Sequence, residues 1–74
     1  MTQLPVLSGK RIIKGLEKLG YREDRRRGSH IRLHCSDKRS VTVPDYRTIG
    51  IGLFRKILRD AEVSLEDFMK ILDE

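Results

Sequence analysis

The chain contains one cysteine, two prolines and no tryptophan, and its aromatic side chains number only four, two Tyr and two Phe. Cys35 alone cannot close an internal disulfide, so the fold must rest on packing, as in proteins kept in a reducing compartment. Tyr21 and Tyr46 are too few to build the base-stacking platform of an RNA-recognition-motif sheet. No stretch approaches the ~20 apolar residues of a membrane span, and Met1 to Lys10 holds no apolar run of signal-peptide length. These absences predict a soluble, cytoplasmic protein with no membrane association. Its 74 residues predict one domain over 1–74. A domain of that size buries only roughly 60% of its unfolded surface. It leaves no room for a deep pocket beside a core, so any active site must be shallow and open to a large substrate.

Acidic residues are scarce until the end of the chain. Residues 1–59 carry 15 Lys/Arg against 5 Asp/Glu, a balance of +10; residues 60–74 carry one Lys against 6 Asp/Glu, a balance of −5; together they return the net +5. A body this basic attracts polyanions by releasing their counterions. Nucleic acid is the partner class that this distribution favours.

Hydrophobic periodicity divides the chain into six elements. Ser8 is placed as an N-cap, Ile12, Ile13, Leu16 and Leu19 form one helical stripe, and Gly20 follows as a terminator; this predicts a helix over 9–19. Tyr21 to Arg27 is polar and reads as a weak strand. Ile31, Leu33 and Cys35 alternate with His30, Arg32 and His34, the period of a strand with one buried face. Gly28-Ser29 and Ser36–Arg39 supply turns on either side. Ser40–Val43 is a short third strand ended by Pro44. After a loop at 45–50, Ile51, Phe54, Ile57, Leu58 and Ala61 restore the helical period to about residue 61. Ser64 caps a last helix, with Asp67 at the third position of an imperfect capping box and Leu65, Phe68, Ile71 and Leu72 on its apolar face. The predicted class is α+β: αβββα with a short extra C-terminal helix, a three-stranded antiparallel sheet with helices on one face. That layout is similar to the double-stranded-RNA-binding fold.

The exposed sheet face is then expected to present His30, Arg32, His34 and Thr42. A neutral imidazole can take the proton of a ribose 2′-hydroxyl or give one to a leaving oxygen, and an Arg fork matches phosphate oxygens. No metal is needed for that chemistry. The pattern alone leaves His30 open between catalyst and ordinary surface histidine of an alternating strand. His34 lies about 13 Å along the strand from His30. That is too far to serve the same phosphate, so it reads as a substrate contact or a bland surface residue. Arg25-Arg26-Arg27 must split between faces, so at most two can join a patch with His30; the other reading is solvated strand-edge charge. Arg55, Lys56 and Arg59 cluster on the second helix, suited either to phosphates or to an acidic partner. The two histidines share no carboxylates on their face, and Cys35 points inward, so no metal site is expected. Ser29 and His30 are adjacent, which is poor geometry for a Ser–His nucleophile pair.

Several segments match, in order and at matching spacing, the motifs of one known family. Ser8-Gly9-Lys10 leads a helix ending Leu16-Glu17-Lys18-Leu19-Gly20-Tyr21, similar to the family's L-x-x-x-G-F ending. Arg27-Gly28-Ser29-His30 matches its G-S-H signature, and Val41-Thr42-Val43-Pro44 its third strand and following proline. Gly52-Leu53-Phe54-Arg55-Lys56-Ile57-Leu58 resembles its G-T-L-R-x-I-L helix start, and Ala61 to Phe68 its A-G-[IL]-S-x-x-x-F ending. Together these segments resemble the HicA family of messenger-RNA interferase toxins, and the resemblance covers about residues 8–72. It implies a double-stranded-RNA-binding-like fold, metal-independent cleavage of mRNA without a cofactor, a catalytic histidine at His30, and a HicB-like antitoxin covering the active face. Three positions depart from the pattern. Tyr46 stands where many members have a histidine, Glu62 where a glycine is usual, and Leu53 where a threonine could cap.

The resulting expectation is an endoribonuclease toxin of a type II toxin–antitoxin system. His30 acts as general acid or base, and Ser29, Arg25, Arg27, Arg32, His34, Arg55 and Arg59 bind RNA. The alternatives are a non-catalytic RNA-binding domain of the same fold, a degenerate toxin acting only through its antitoxin, and a pure protein-interaction subunit. The acidic last helix serves either as a simple end helix or as a self-association surface.

Overall fold

In the computed structural model, residues 6–73 are described; the readings made for the first five residues and for Glu74, including the outer ends of the 1–74 domain, lie outside that range. The first helix, α1 (Gly9–Lys18), begins where Ser8 Oγ accepts the Arg11 N–H at 3.2 Å. It stops one residue short of the periodicity's estimate because Leu19 closes it as the cap, after which Gly20 takes a φ of +105°. Three antiparallel strands follow, β1 (Arg22–Arg27), β2 (His30–Cys35) and β3 (Lys38–Pro44), in the order β1-β2-β3. Two helices complete the chain, α2 (Ile51–Asp60) and α3 (Leu65–Asp73). Asp67 donates its N–H to Ser64 Oγ at 3.1 Å, so the expected cap of α3 forms. The architecture is the expected α+β order, a helix, a three-stranded antiparallel sheet and two further helices.

The core lies on one side of the sheet. Ile31, Leu33 and Cys35 of β2 and Val41 and Val43 of β3 are buried with Ile12 and Leu16 of α1, Phe54, Ile57 and Leu58 of α2 and Phe68 and Leu72 of α3. Phe54 and Phe68 meet edge to face at 5.8 Å between centroids, a favoured aromatic geometry. Tyr21, read from the sequence as the start of a polar strand, is instead core: it is buried, and its hydroxyl donates to the Arg39 carbonyl at 2.7 Å. Burial pushes the Tyr21 phenol pKa up, and negative charge at Cys35, Glu62, Asp60 and Asp37 adds to the effect.

Two strands differ from their predicted form. β3 begins at Lys38 rather than Ser40, because the turn tightens to Ser36-Asp37, where Asp37 Oδ1 accepts the Cys35 thiol at 3.1 Å. That contact also holds the exposed Asp37 carboxyl below its usual pKa. Pro44 belongs to β3 and sits opposite His30; an edge strand tolerates a residue without an N–H. β1 is exposed at all six positions, since Arg-Glu-Asp-Arg-Arg-Arg carries nothing apolar to bury.

The polypeptide between β3 and α2 is fastened at several points. Asp45 N–H donates to the Ser29 carbonyl at 2.6 Å, Gly9 N–H to the Tyr46 carbonyl at 2.9 Å, and Ile49 N–H to the Leu7 carbonyl at 2.8 Å. Gly9 is needed there: a Cβ at this position would collide with the Pro44 carbonyl oxygen. The first turn of α1 thus lies directly against the end of β3.

Three stability changes follow. A Cβ on Gly15 would lie 2.6 Å from Phe68 Cζ and 2.8 Å from Cε1, and that ring is fully buried. Overpacking of about 1–3 kcal/mol outweighs the up to ~1 kcal/mol that alanine gains over glycine in a helix, so Gly15→Ala lowers stability in urea titration. Glu62, just past α2, has a φ of +55°, a conformation that favours glycine at a helix end. Glu62→Gly is therefore expected to stabilise by about 1 kcal/mol and to raise the melting temperature by roughly 4–8 °C. For Tyr21 the sign follows from its raised pKa. Above the ordinary phenol value of 10.0 the unfolded chain releases the proton while the folded chain keeps it, so stability falls as pH rises past that point. Tyr21→Phe loses about 1 kcal/mol at neutral pH, and its gap to the wild type narrows in urea titrations run at increasing alkaline pH.

Candidate nucleic-acid interface and active site

β2 separates its side chains by strict alternation, with Ile31, Leu33 and Cys35 buried and His30, Arg32 and His34 exposed. The Gly28-Ser29 turn sets where that face begins. Gly28 has a φ of +59° and Ser29 does not share it, the φ pattern of a two-residue hairpin with glycine at the first central position. His30 is thereby the first residue of β2, directly opposite Arg27.

The pairing of β1 with β2 contains a bulge at Asp24. Arg27 faces His30 and Arg25 faces Arg32, but beyond the bulge Glu23 faces Leu33 and Arg22 faces His34. Residues directly opposite on paired strands share a face. The extra residue therefore turns Glu23 to the helix side and brings Arg22 to the open side. Without it, simple alternation would set Glu23 beside His34. Glu23 and Arg26 then meet each other at 3.6 Å, and Arg26 also meets Asp45 at 3.6 Å. Arg22 is the residue that sequence reading missed here, because a bulge in a strand of charged residues leaves no hydrophobic signature.

The open face therefore gathers much of what was expected of it. Arg25, Arg27, His30, Arg32 and Thr42 line one shallow depression of about 200 Å³, without a carboxylate among them. Two of the three consecutive arginines join His30 there, as the alternation requires. Ser29 lies in the turn beside it, and its carbonyl is occupied by Asp45. His34 is exposed at the other end of β2, where Nδ1 lies 3.4 Å from Ser40 Oγ, and it lines no depression with His30.

His30 also borders a second, larger hollow of about 330 Å³ between the outer edge of β3 and α2, walled by Val41, Leu53 and Ile57 with Ser40, Lys56 and Asp60 at its rim. Lys56 and Asp60 pair there at 3.3 Å. Arg55 and Arg59, predicted to bind RNA, are exposed on α2 and line neither hollow; Lys56, on the border of the apolar stripe, is the α2 cation beside the site. On its remaining side His30 meets Tyr46, ring centroids 6.4 Å apart at 69°. Among the described residues, no three His, Cys, Asp or Glu side chains come together as a metal site, and no helix is long and apolar enough to cross a membrane.

Chemically, the arrangement joins a proton-transferring group with cations able to neutralise phosphates, on a surface open enough for a polymer. No curated protein matches the chain. The sequence profile described as HicA toxin of bacterial toxin-antitoxin matches residues 9–63, a span that contains α1, the whole sheet and α2. The chain therefore belongs to the HicA toxin family, whose members are the toxins of bacterial toxin–antitoxin systems, and its role is that of a toxin with an antitoxin for partner.

Proposed function

We propose that the toxin is a metal-independent endoribonuclease of mRNA, acting in the cytoplasm, and that His30 is its general acid or base. The observation that carries this reading is the basic depression, in which His30 stands among Arg25, Arg27 and Arg32 with no carboxylate in the lining. RNA lies across the open face with its phosphates on these arginines and on Arg22. The 2′-oxygen of one ribose attacks the neighbouring phosphorus. As the O2′–P bond forms and the P–O5′ bond breaks, the 2′-hydroxyl proton leaves and the departing 5′-oxygen gains one. The products are a 2′,3′-cyclic phosphate and a 5′-hydroxyl end. His30 serves one of the two proton transfers, a step within the reach of an unassisted imidazole. His34, about 13 Å away along the strand, does not serve the other. The antitoxin, of HicB type, silences the enzyme by covering the same face.

Incubation of a long labelled RNA in EDTA with the wild type and with His30→Ala tests the reading. The wild type cleaves and leaves cyclic phosphate ends, while the variant loses cleavage by at least the roughly hundredfold typical of general acid–base catalysis. Its melting curve stays within about 0.5 kcal/mol of the wild type's, since His30 is an exposed side chain. Full activity in His30→Ala refutes the mechanism. Stoichiometric, salt-sensitive retention of intact RNA by both proteins instead identifies a binding domain.

A further inference from the structure

The basic depression lies on one side of His30, whereas a single strand cut at an internal phosphate must continue past the histidine on the other. Two hollows offer that continuation. The hollow between β3 and α2 has mixed walls, with Val41, Pro44, Leu53 and Ile57 beside Ser40 and Thr42, and its Lys56 ammonium is already met by Asp60 at 3.3 Å. The other begins at Tyr46. It has a volume of about 280 Å³ and is lined by Ser8, Lys10, Asp45, Tyr46 and Arg47.

Three features of this second hollow suit a nucleotide. Tyr46 is an aromatic ring in contact with the His30 ring and yet 51% exposed, so it can take a base by stacking. Lys10 and Arg47 are exposed cations from two separate segments, the first turn of α1 and the loop after β3. Asp45, the acidic group in the lining, is met by Arg26 at 3.6 Å. The backbone under Tyr46 is held on both sides, with Asp45 N–H on the Ser29 carbonyl and the Tyr46 carbonyl accepting from Gly9. The ring is therefore carried on the same hydrogen-bonded junction as the turn that presents His30. Cations tracking the backbone, with an aromatic ring for a base, form the usual platform for single strands.

We propose that the hollow formed by Tyr46, Lys10 and Arg47 is a nucleotide subsite for the RNA strand continuing past His30, with a base stacked on Tyr46 and phosphate held by Lys10 and Arg47. This rests on the reading of the open face as an RNA site. It makes Tyr46 a positioning residue that holds the base next to the cut.

The test is binding of a fluorescein-labelled 2′-O-methyl oligoribonucleotide, which lacks the attacking hydroxyl and stays intact, measured across a salt series. Tyr46→Ala weakens binding roughly tenfold, and Tyr46→Phe retains it. Lys10→Gln combined with Arg47→Gln reduces the slope of log affinity against log salt by roughly 1.4, the loss of two phosphate contacts on a single strand. Melting curves of every variant verify the fold. If these variants bind as the wild type does while Arg25→Gln with Arg27→Gln binds more weakly, the subsite is refuted and the open-face reading survives. If the wild type does not bind the oligomer at all, both are refuted.

Discussion

The central strand holds the molecule to one arrangement. Ile31, Leu33 and Cys35 must leave water, and in a strand their neighbours His30, Arg32 and His34 are then driven to the opposite side. A register slip of one residue would bury two histidines and an arginine and expose the core, so the face that presents His30, Arg32 and His34 is guaranteed by the face that carries the stability. All three helices pack on the apolar side, and the other side is left open along its length. An open sheet face is the right shape for a polymer.

The functional groups are set by what happens at the ends of the strands. The hairpin turn at Gly28 places His30 at the beginning of β2, and the bulge at Asp24 sorts the charges of β1 so that arginines face the site while Glu23 and Arg26 meet on the far side. The end of β3 is pinned beneath the first turn of α1, where only glycine fits against the Pro44 carbonyl. One junction of backbone hydrogen bonds, Ser29 to Asp45 and Tyr46 to Gly9, therefore couples the hairpin tip, the loop after β3 and the start of the first helix. Ser29 and Tyr46, which flank His30, are carried by that junction.

A basic toxin face also suits its inhibition. Under the proposed function, a partner that covers the open sheet supplies acidic groups to meet Arg22, Arg25, Arg27 and Arg32 and competes with RNA for the same charges. Electrostatic complementarity of this kind speeds encounter and favours the right partner.

Much of this was legible in the residues. Alternation from His30 to Cys35, the stripe of Phe54, Ile57 and Leu58, and the caps at Ser8 and Ser64 are local signals, and each determined its element because burial and backbone capping act over a few residues; Ile51, placed on the same stripe by its spacing, is instead half exposed at the start of α2. The face of His30, Arg32 and His34 followed from the same local rule. Other features were settled only by the tertiary structure. The bulge that exchanges Glu23 for Arg22 arises from pairing with β2. Tyr21 is core because Arg39 offers its carbonyl. Lys56, and not Arg55 or Arg59, lines a hollow with His30 because of how α2 lies against β3. Lys10, Tyr46 and Arg47 line one hollow because α1 packs onto the end of the sheet. These depend on contacts between segments far apart in the chain, and periodicity within one segment carries no information about which distant segment will be its neighbour.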